Sequence, residues 1–164
     1  MNLTELLLSA LIFIFPAYCT NAAPVIFGGG GPIDCGKSFI DGKPLFGSHK
    51  TVRGFISGLA SGILATIALC YLVPYNFFVG VALSIGALIG DLAGSFIKRR
   101  LSFPPGKSVP ILDQMTFVVF AVIFAYAVSP IEIEIMLIVF VVTPVFHLVT
   151  NLIAYCFGLK TVPW

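Results

Sequence analysis

Residues 77–97 read FFVGVALSIGALIGDLAGSFI, and three basic residues, Lys98, Arg99 and Arg100, follow them directly. Roughly 20 consecutive, mostly apolar residues are needed to cross a bilayer as an α-helix, and basic residues hold the end of such a helix at the membrane surface. Asp91 lies in the second half of this run, where an ionisable side chain is costly enough that a functional role is its default explanation. The stretch therefore predicts a membrane-spanning helix that carries polar chemistry to a membrane surface.

The composition of the whole chain is typical of an integral membrane protein. Of its 164 residues, 59% are hydrophobic and only 10% are charged, whereas about 25% of the residues in an ordinary soluble domain are charged. Five apolar runs are long enough to span a bilayer, namely 3–19, 55–73, 77–97, 111–128 and 133–157. No Lys or Arg precedes the first run, so we expect a membrane span there and not a signal peptide. The sequence predicts an all-α integral membrane protein, a bundle of five transmembrane helices with two large loops at 21–54 and 98–112.

The positions of the basic residues predict how the five spans are oriented. All nine fall in the first connection, the third connection or the C-terminal tail: Lys37, Lys43, Lys50, Arg53, Lys98, Arg99, Arg100, Lys107 and Lys160. With five spans, these segments lie on the same side of the membrane, which the positive-inside rule makes cytoplasmic. We therefore expect a multi-pass cell-membrane protein with its N-terminus outside and its C-terminus and polar site on the cytoplasmic side.

Two carboxylates flank the third connection. At helical spacing, Asp91, Ser95 and Lys98 share one face of a helix, and Asp113 begins the following span. A helical hairpin would bring the two carboxylates together, next to Lys98 and Arg99. Paired carboxylates beside several cations favour Mg²⁺ and phosphoryl chemistry, with both carboxylates as metal ligands. The alternative is a simple membrane anchor with an incidental ion pair between Asp91 and Lys98.

The first connection contains a run of four glycines that includes Gly29 and Gly30. Such runs expose backbone N–H groups that can hold phosphates. Asp34 follows, within a stretch that matches the G-x-x-x-x-G-K-S pattern of a P-loop. A P-loop requires a preceding strand and a surrounding α/β domain, for which this chain has no room, so we exclude it.

Further along the same connection, Lys50, Thr51 and Arg53 come just before the second span. We expect them to reach the same membrane surface as Lys98 and Arg99. The alternative is that their charges only set the topology.

Two polar residues, His147 and Asn151, are spaced four residues apart in the last span. Polar side chains inside a helical bundle most often form hydrogen bonds between helices. Asn151 lies about two turns from the cytoplasmic end of its helix, so it could touch a bound headgroup or nucleotide. Both are secondary candidates for the site, and His147 is the weaker because it lies deeper.

Two glycine stripes with four-residue spacing occupy the second and third spans. Such stripes let helix backbones approach each other closely in lipid; they consist of Gly54, Gly58 and Gly62, and of Gly86, Gly90 and Gly94. Around Asp91 the missing side chains could also leave room for a ligand.

Several of these motifs together resemble the CDP-archaeol synthases over nearly the whole chain. The segment Gly90-Asp91-x3-Ser95-x2-Lys98-Arg99 also resembles the signature of the phosphatidate cytidylyltransferases. After Arg99 the chain lacks that larger family's Lys-Asp and Pro-Gly-His-Gly-Gly segments, and Asp113 replaces the signature's second metal-binding Asp. The segments that carry the resemblance are Gly29-Gly30-x-Pro32-Ile33-Asp34, His49-Lys50-Thr51-x-Arg53-Gly54, Gly90 to Arg100, Leu112-Asp113-Gln114 and Asn151 to Trp164.

The resemblance implies one transmembrane catalytic domain over residues 1–164, a Mg²⁺-dependent nucleotidyltransferase. It would transfer CMP from CTP to an archaeal phosphatidic-acid analogue, 2,3-bis-O-geranylgeranyl-glycerol 1-phosphate, forming CDP-archaeol and pyrophosphate. Its partners would be CTP, the lipid phosphate and membrane lipids, with no nucleic acid. Asp91 and Asp113 would be the metal ligands. Lys98 and Arg99 would neutralise the phosphates. The nucleotide-binding groups would be Gly29, Gly30, Lys50, Thr51, Arg53 and Ser95.

Other classes of membrane protein remain as alternatives. A CDP-alcohol phosphotransferase would need an Asp-Gly-x-x-Ala-Arg segment, whereas Asp41-Gly42 is followed here by Lys43-Pro44. A transporter would be expected to show inverted repeats or polar residues at the midplane, of which only the region from Thr143 to His147 is suggestive. A non-catalytic scaffold would need no paired carboxylates.

Overall fold

The computed structural model describes residues 2–159 and contains five α-helices, each long and apolar enough to cross a membrane. They are α1 (Leu3–Phe27), α2 (Val52–Leu72), α3 (Phe77–Arg100), α4 (Pro110–Val128) and α5 (Ile133–Cys156). Within residues 2–159 the backbone forms no regular strand, only two isolated β-bridges in the first loop. The all-α bundle of five spans is therefore confirmed. Lys160, which contributes to the predicted charge asymmetry, lies outside the described residues.

The two large loops are shorter than the sequence predicts. The first covers residues 28–51 and not 21–54, because α1 continues to Phe27. The first apolar run ends at residue 19, but Ala22 and Ala23 favour helix, and Pro24 packs against α2 at Gly54 and Gly58. The second loop covers residues 101–109 and not 98–112, since α3 includes its three terminal cations, which complement the helix dipole.

Helix α3 is the central element and packs closely on α4. Gly86, Gly90 and Gly94 are buried, and a Cβ at Gly86 would lie 2.5 Å from the Phe120 carbonyl oxygen. A Cβ at Gly90 or Gly94 would collide with Thr116. The expectation that this stripe leaves room for a ligand is wrong, because α4 fills the space.

The other glycine stripe joins α2 to α1. Gly58 faces the Thr20 carbonyl oxygen, where a Cβ would approach to 2.8 Å, and Gly62 faces the side chains of Thr20 and Ser84. Close backbone packing of this kind stabilises the helix pair, because no hydrophobic effect holds helices together in lipid.

Helix α5 is the least buried of the five and packs on α1 and α4. The Tyr18 hydroxyl of α1 forms a hydrogen bond with the Thr143 hydroxyl of α5 at 2.9 Å. Tyr18 also stacks on Phe146, with 5.8 Å between the ring centroids. These contacts hold α5 beside α1, where both line the site described below.

We expect Gly86→Ala to destabilise the bundle by roughly 1–3 kcal/mol, because the added methyl group must displace the α4 backbone. Thermal unfolding in detergent measures this effect. Gly31→Ala is the matched control, since nothing lies within 4 Å of a Cβ at that position. Equal melting temperatures for the two variants would contradict the close α3–α4 packing.

Candidate active site

The first loop is organised around one carboxylate, Asp34. Its Oδ1 accepts a hydrogen bond from the Gly36 amide at 3.0 Å, and its Oδ2 accepts from the amides of Phe46 and Gly47 at 2.9 and 3.0 Å. The start and end of the loop are also joined, because the Ile33 amide donates to the Lys50 carbonyl at 2.7 Å. Asp34 thus acts on the site indirectly, by holding the loop that carries Lys50.

Burial alone would raise the pKa of the Asp34 carboxyl, but the amide hydrogen bonds outweigh burial and lower the pKa below its usual value. A carboxyl whose pKa is lowered in the folded state adds stability above its ordinary pKa, and this is lost as the pH falls through the lowered value. The loop is therefore held by an ionised Asp34 across the neutral range.

Lys50, at the end of this loop, forms an ion pair with Asp91 of α3. The Lys50 Nζ lies 2.7 Å from Asp91 Oδ1 and 2.6 Å from Oδ2, and both side chains are half-buried. The anchor interpretation expected Asp91 to pair with Lys98. In the structure Asp91 pairs instead with a residue 41 positions earlier in the chain.

Lys98 instead pairs with the second carboxylate. Its Nζ lies 2.6 Å from Asp113 Oδ1 and donates to the Lys107 carbonyl at 3.2 Å. Asp113 Oδ2 accepts from the Val109 amide at 2.9 Å, at the start of α4. The third connection is thus folded back onto the end of α3, as the predicted helical hairpin requires.

Arg99, between these groups, is almost completely buried, at 4% exposure. One terminal nitrogen donates to the Pro104 carbonyl at 3.1 Å, and its Nε has no hydrogen-bond partner among the described residues. Arg99 also lines the cavity described next, where a guanidinium can bind an anion.

These side chains line a cavity of about 530 Å³, which we call the large cavity. Its polar wall contains both carboxylates, four cations and one hydroxyl: Asp91 and Asp113; Lys50, Lys98, Arg99 and Lys107; and Ser95. Its apolar wall comes from α1, α4 and α5 and includes Tyr18, Val25, Ile26, Phe117, Phe146 and Ile153. The cavity therefore offers a charged region beside an apolar one, which suits a ligand with both characters.

A second cavity, of about 340 Å³, is also lined by Lys50 and Asp91, and we call it the small cavity. It is enclosed by the ends of α1 and α2, by α3 and by the first loop, including Gly29, Gly30 and Thr51. Thr51 also caps α2, since its hydroxyl oxygen accepts from the Gly54 amide at 3.1 Å.

Most of the predicted site residues meet at these two cavities. His147 and Asn151 line the large cavity, and Asn151 Nδ2 lies 2.9 Å from His147 Nδ1. Arg53 is not brought to the site: it is exposed in the first turn of α2 and lines neither cavity. Its sequence neighbours Lys50 and Thr51 precede the helix, whereas Arg53 lies on a face of α2 that is directed away from both cavities.

Sequence reasoning missed two residues as site candidates. His49 lines both cavities, and Lys107 lines the large one. Lys107 was counted only as a topogenic charge, and its position after Pro105-Gly106 was the available signal. His49 had no signal of its own beyond its place next to Lys50.

Arg100 differs from its two basic neighbours, because it holds the first loop and does not line either cavity. Its guanidinium packs against both rings of the edge-to-face pair Phe39–Phe96, 4.9 and 4.6 Å from their centroids. Its Nε is 3.2 Å from Asp41 Oδ2, and it donates to the Lys43 carbonyl at 3.2 Å. In return, the Lys43 Nζ donates to the Arg100 carbonyl at 2.8 Å.

The chain is similar to proteins of one family. The family model described as CarS-like CDP-archaeol synthase matches residues 3–164. The chain is 43% identical to the CDP-archaeol synthase of Methanococcus aeolicus over the full length of both, and 47% identical to that of Pyrococcus furiosus, covering 96% of this chain and 98% of the relative. A solved structure of an intramembrane enzyme for archaeal membrane lipid biosynthesis superposes with a TM-score of 0.81 at 35% identity, covering 88% of this chain and 94% of that one.

We expect Arg100→Gln to open the first loop without removing a group from the large cavity. Loss of the ring contacts and charged hydrogen bonds costs about 2 kcal/mol, which corresponds to ~30-fold faster tryptic cleavage after Lys37 of the first loop when cleavage follows the opened population. Arg53→Gln is the matched control, since it removes the same charge from an exposed position. Equal cleavage rates in the two variants would contradict a clamp at Arg100.

Proposed function

Because the chain belongs to the CDP-archaeol synthase family, we propose that the large cavity is where CMP passes from CTP to an archaeal lipid phosphate. The family membership identifies the chain as a multi-pass membrane cytidylyltransferase of archaeal lipid biosynthesis. It favours the enzyme over a transporter or a scaffold. The observation that carries the proposal for the site is the large cavity itself, in which two carboxylates and four cations face an apolar wall.

The reaction requires little covalent chemistry from the protein. A phosphate oxygen of the lipid attacks the α-phosphorus of CTP, the bond from that phosphorus to the bridging oxygen of the β-phosphate breaks, and pyrophosphate leaves. The lipid phosphate is already anionic, so no nucleophilic Ser or Cys and no general base are needed. Catalysis then rests on positioning and on charge stabilisation.

The cations of the large cavity supply this stabilisation. Arg99 is buried with an unused Nε donor, and Lys98 and Lys107 lie at the same end of the cavity. Lys50 lies at the wall between the two cavities. We assign the first three to the β- and γ-phosphates and the lipid phosphate, and Lys50 to the phosphate nearest the nucleoside, with Ser95 as a neutral donor.

The donor set of the large cavity fits Mg²⁺. Asp91 and Asp113 line the same space, and Mg²⁺ is commonly held by one or two carboxylates together with substrate phosphates. An ion that shares its ligands with the nucleotide in this way needs no more than these two carboxylates from the protein. When bound, Mg²⁺ would neutralise charge on the phosphates; Asp91 and Asp113 would hold it.

The two walls of the cavity also suit the two substrates. The apolar side chains of α1, α4 and α5 line the cavity beside the charged wall, and the prenyl chains would lie against them. CTP would arrive from the water at the loop end of the bundle. By the positive-inside rule we place this end on the cytoplasmic side.

We expect Asp91→Asn and Asp113→Asn each to lower the rate by a factor of ~100 or more, because each removes a charge that holds the metal. The assay contains purified protein in detergent, CTP, Mg²⁺ and the lipid phosphate, and measures pyrophosphate and CDP-lipid. Both variants should also need more Mg²⁺ for half-maximal rate.

Glu134→Gln serves as the control, since Glu134 lies in the first turn of α5, at the opposite end of the bundle. Full activity in both aspartate variants would refute the metal assignment. Absence of CDP-lipid with the folded parent protein would refute the site's proposed reaction.

A further inference from the structure

The first loop packs its middle part against the outside of α3, away from both cavities. Residues 38–44, which we call the loop tip, form a short hairpin closed by an isolated bridge between Ser38 and Pro44. Phe39 of the loop tip packs edge to face on Phe96 of α3, with 5.2 Å between the ring centroids. The loop tip lines neither the large nor the small cavity, so its position serves a purpose other than the site.

Phe96 belongs to the face of α3 that the other helices leave most exposed. Four side chains share this face at helical spacing, namely Ile85, Ile89, Phe96 and Arg100. None of the four is buried, whereas the glycines that meet α4 lie on another face and are buried. Because α3 spans the membrane, the exposed face contacts lipid, and its end at Phe96 and Arg100 lies where the hydrocarbon meets the headgroups.

Ile40, next to Phe39, extends this apolar surface onto the loop tip. At 94% exposure it is the most exposed large hydrophobic side chain among residues 2–159. Ile97 and Leu101, at the same end of α3, are also exposed, at 40% and 61%. Contact with water is unfavourable for side chains of this kind. The lipid-facing surface of the span is therefore continuous with the loop tip, which lies against it.

The charged groups around the loop tip suit the headgroup region. Arg100 covers the Phe39–Phe96 pair and forms an ion pair with Asp41, which leaves the nearby cations in excess. Lys43 Nζ donates to the Arg100 carbonyl at 2.8 Å, and Lys37 is exposed just before the loop tip. Basic side chains whose stems lie along apolar surface are typical of the membrane interface.

We propose that the loop tip is an interfacial membrane anchor, in which Phe39 and Ile40 enter the boundary between headgroups and acyl chains. The lipid of the leaflet in which α3 ends covers this surface. The inference goes beyond the proposed function, because the loop tip contacts bulk lipid and no substrate. It gives the first loop, which carries Lys50, a second attachment in addition to the Arg100 contacts.

The test uses a single tryptophan as a reporter of its surroundings. The chain contains one tryptophan, Trp164, so Trp164→Phe provides an empty background. Ile40→Trp is the test position, and it displaces no packed group because Ile40 is exposed. Ile85→Trp marks the membrane span on the same face of α3, and Pro104→Trp marks an exposed position of the second loop.

Each variant is placed in phosphatidylcholine nanodiscs whose acyl chains carry bromine either near the headgroup or near the chain end. Bromine quenches tryptophan from the lipid, and acrylamide quenches it from the water. Bromine near the headgroup is expected to reduce the fluorescence of the Ile40→Trp variant about twofold, since interfacial segments lie only ~5–10 Å into the boundary. Bromine near the chain end should act more weakly on this variant and more strongly on the Ile85→Trp variant.

The Pro104→Trp variant should respond to acrylamide and to neither brominated lipid. Quenching by brominated lipid in the Ile85→Trp variant shows that the bundle is folded in the bilayer. If the Ile40→Trp variant is then quenched by acrylamide alone, the loop tip lies in water and the anchor is refuted. If neither lipid nor water quenches it, another protein or a second copy of this chain covers the loop tip, which also refutes the anchor.

Discussion

The ion pair between Lys50 and Asp91 is the contact on which the rest of the site depends. It joins the longer of the two loops to the central helix, and both of its residues line the two cavities. Both side chains are half-buried, so removal of either leaves a poorly solvated charge beside the membrane, which is costly. The loop is arranged to deliver Lys50 to this point: Asp34 binds three backbone amides, and the Lys50 carbonyl accepts from Ile33.

The same contact needs a rigid partner, and the glycine stripes provide one. In lipid there is no hydrophobic effect to press helices together, so close backbone contact must do so. Gly86 and Gly90 bring α3 against Phe120 and Thr116 of α4. With the two helices locked, Asp91 and Asp113 line one cavity although they belong to different helices and 22 positions separate them in the chain. The small residues around Asp91 thus make the site possible by packing, not by leaving space for a ligand.

The spans could be predicted from the sequence because hydropathy and length are local properties. The end of α1 could not, since it depends on how Pro24 packs against Gly54 and Gly58 of another helix. The pairing of charges was equally out of reach. Helical spacing suggested a pair between Asp91 and Lys98. In the structure the folded loop brings Lys50 to Asp91, and Lys98 pairs with Asp113. Arg53 shows the same limit, because three residues beyond Lys50 the chain has entered α2 and its side chain is exposed.

The three cations at the end of α3 show how one motif can serve several purposes. Successive residues of a helix are rotated by about 100°, and here Lys98 and Arg99 line the large cavity whereas Arg100 does not. Lys98 pairs with Asp113, Arg99 donates to the Pro104 carbonyl, and Arg100 lies against the rings of Phe39 and Phe96. A run of basic residues at the end of a membrane helix is therefore neither only an anchor nor only a phosphate site. Here the first and third residues hold in place the two loops around the cavity, and the first two also line it.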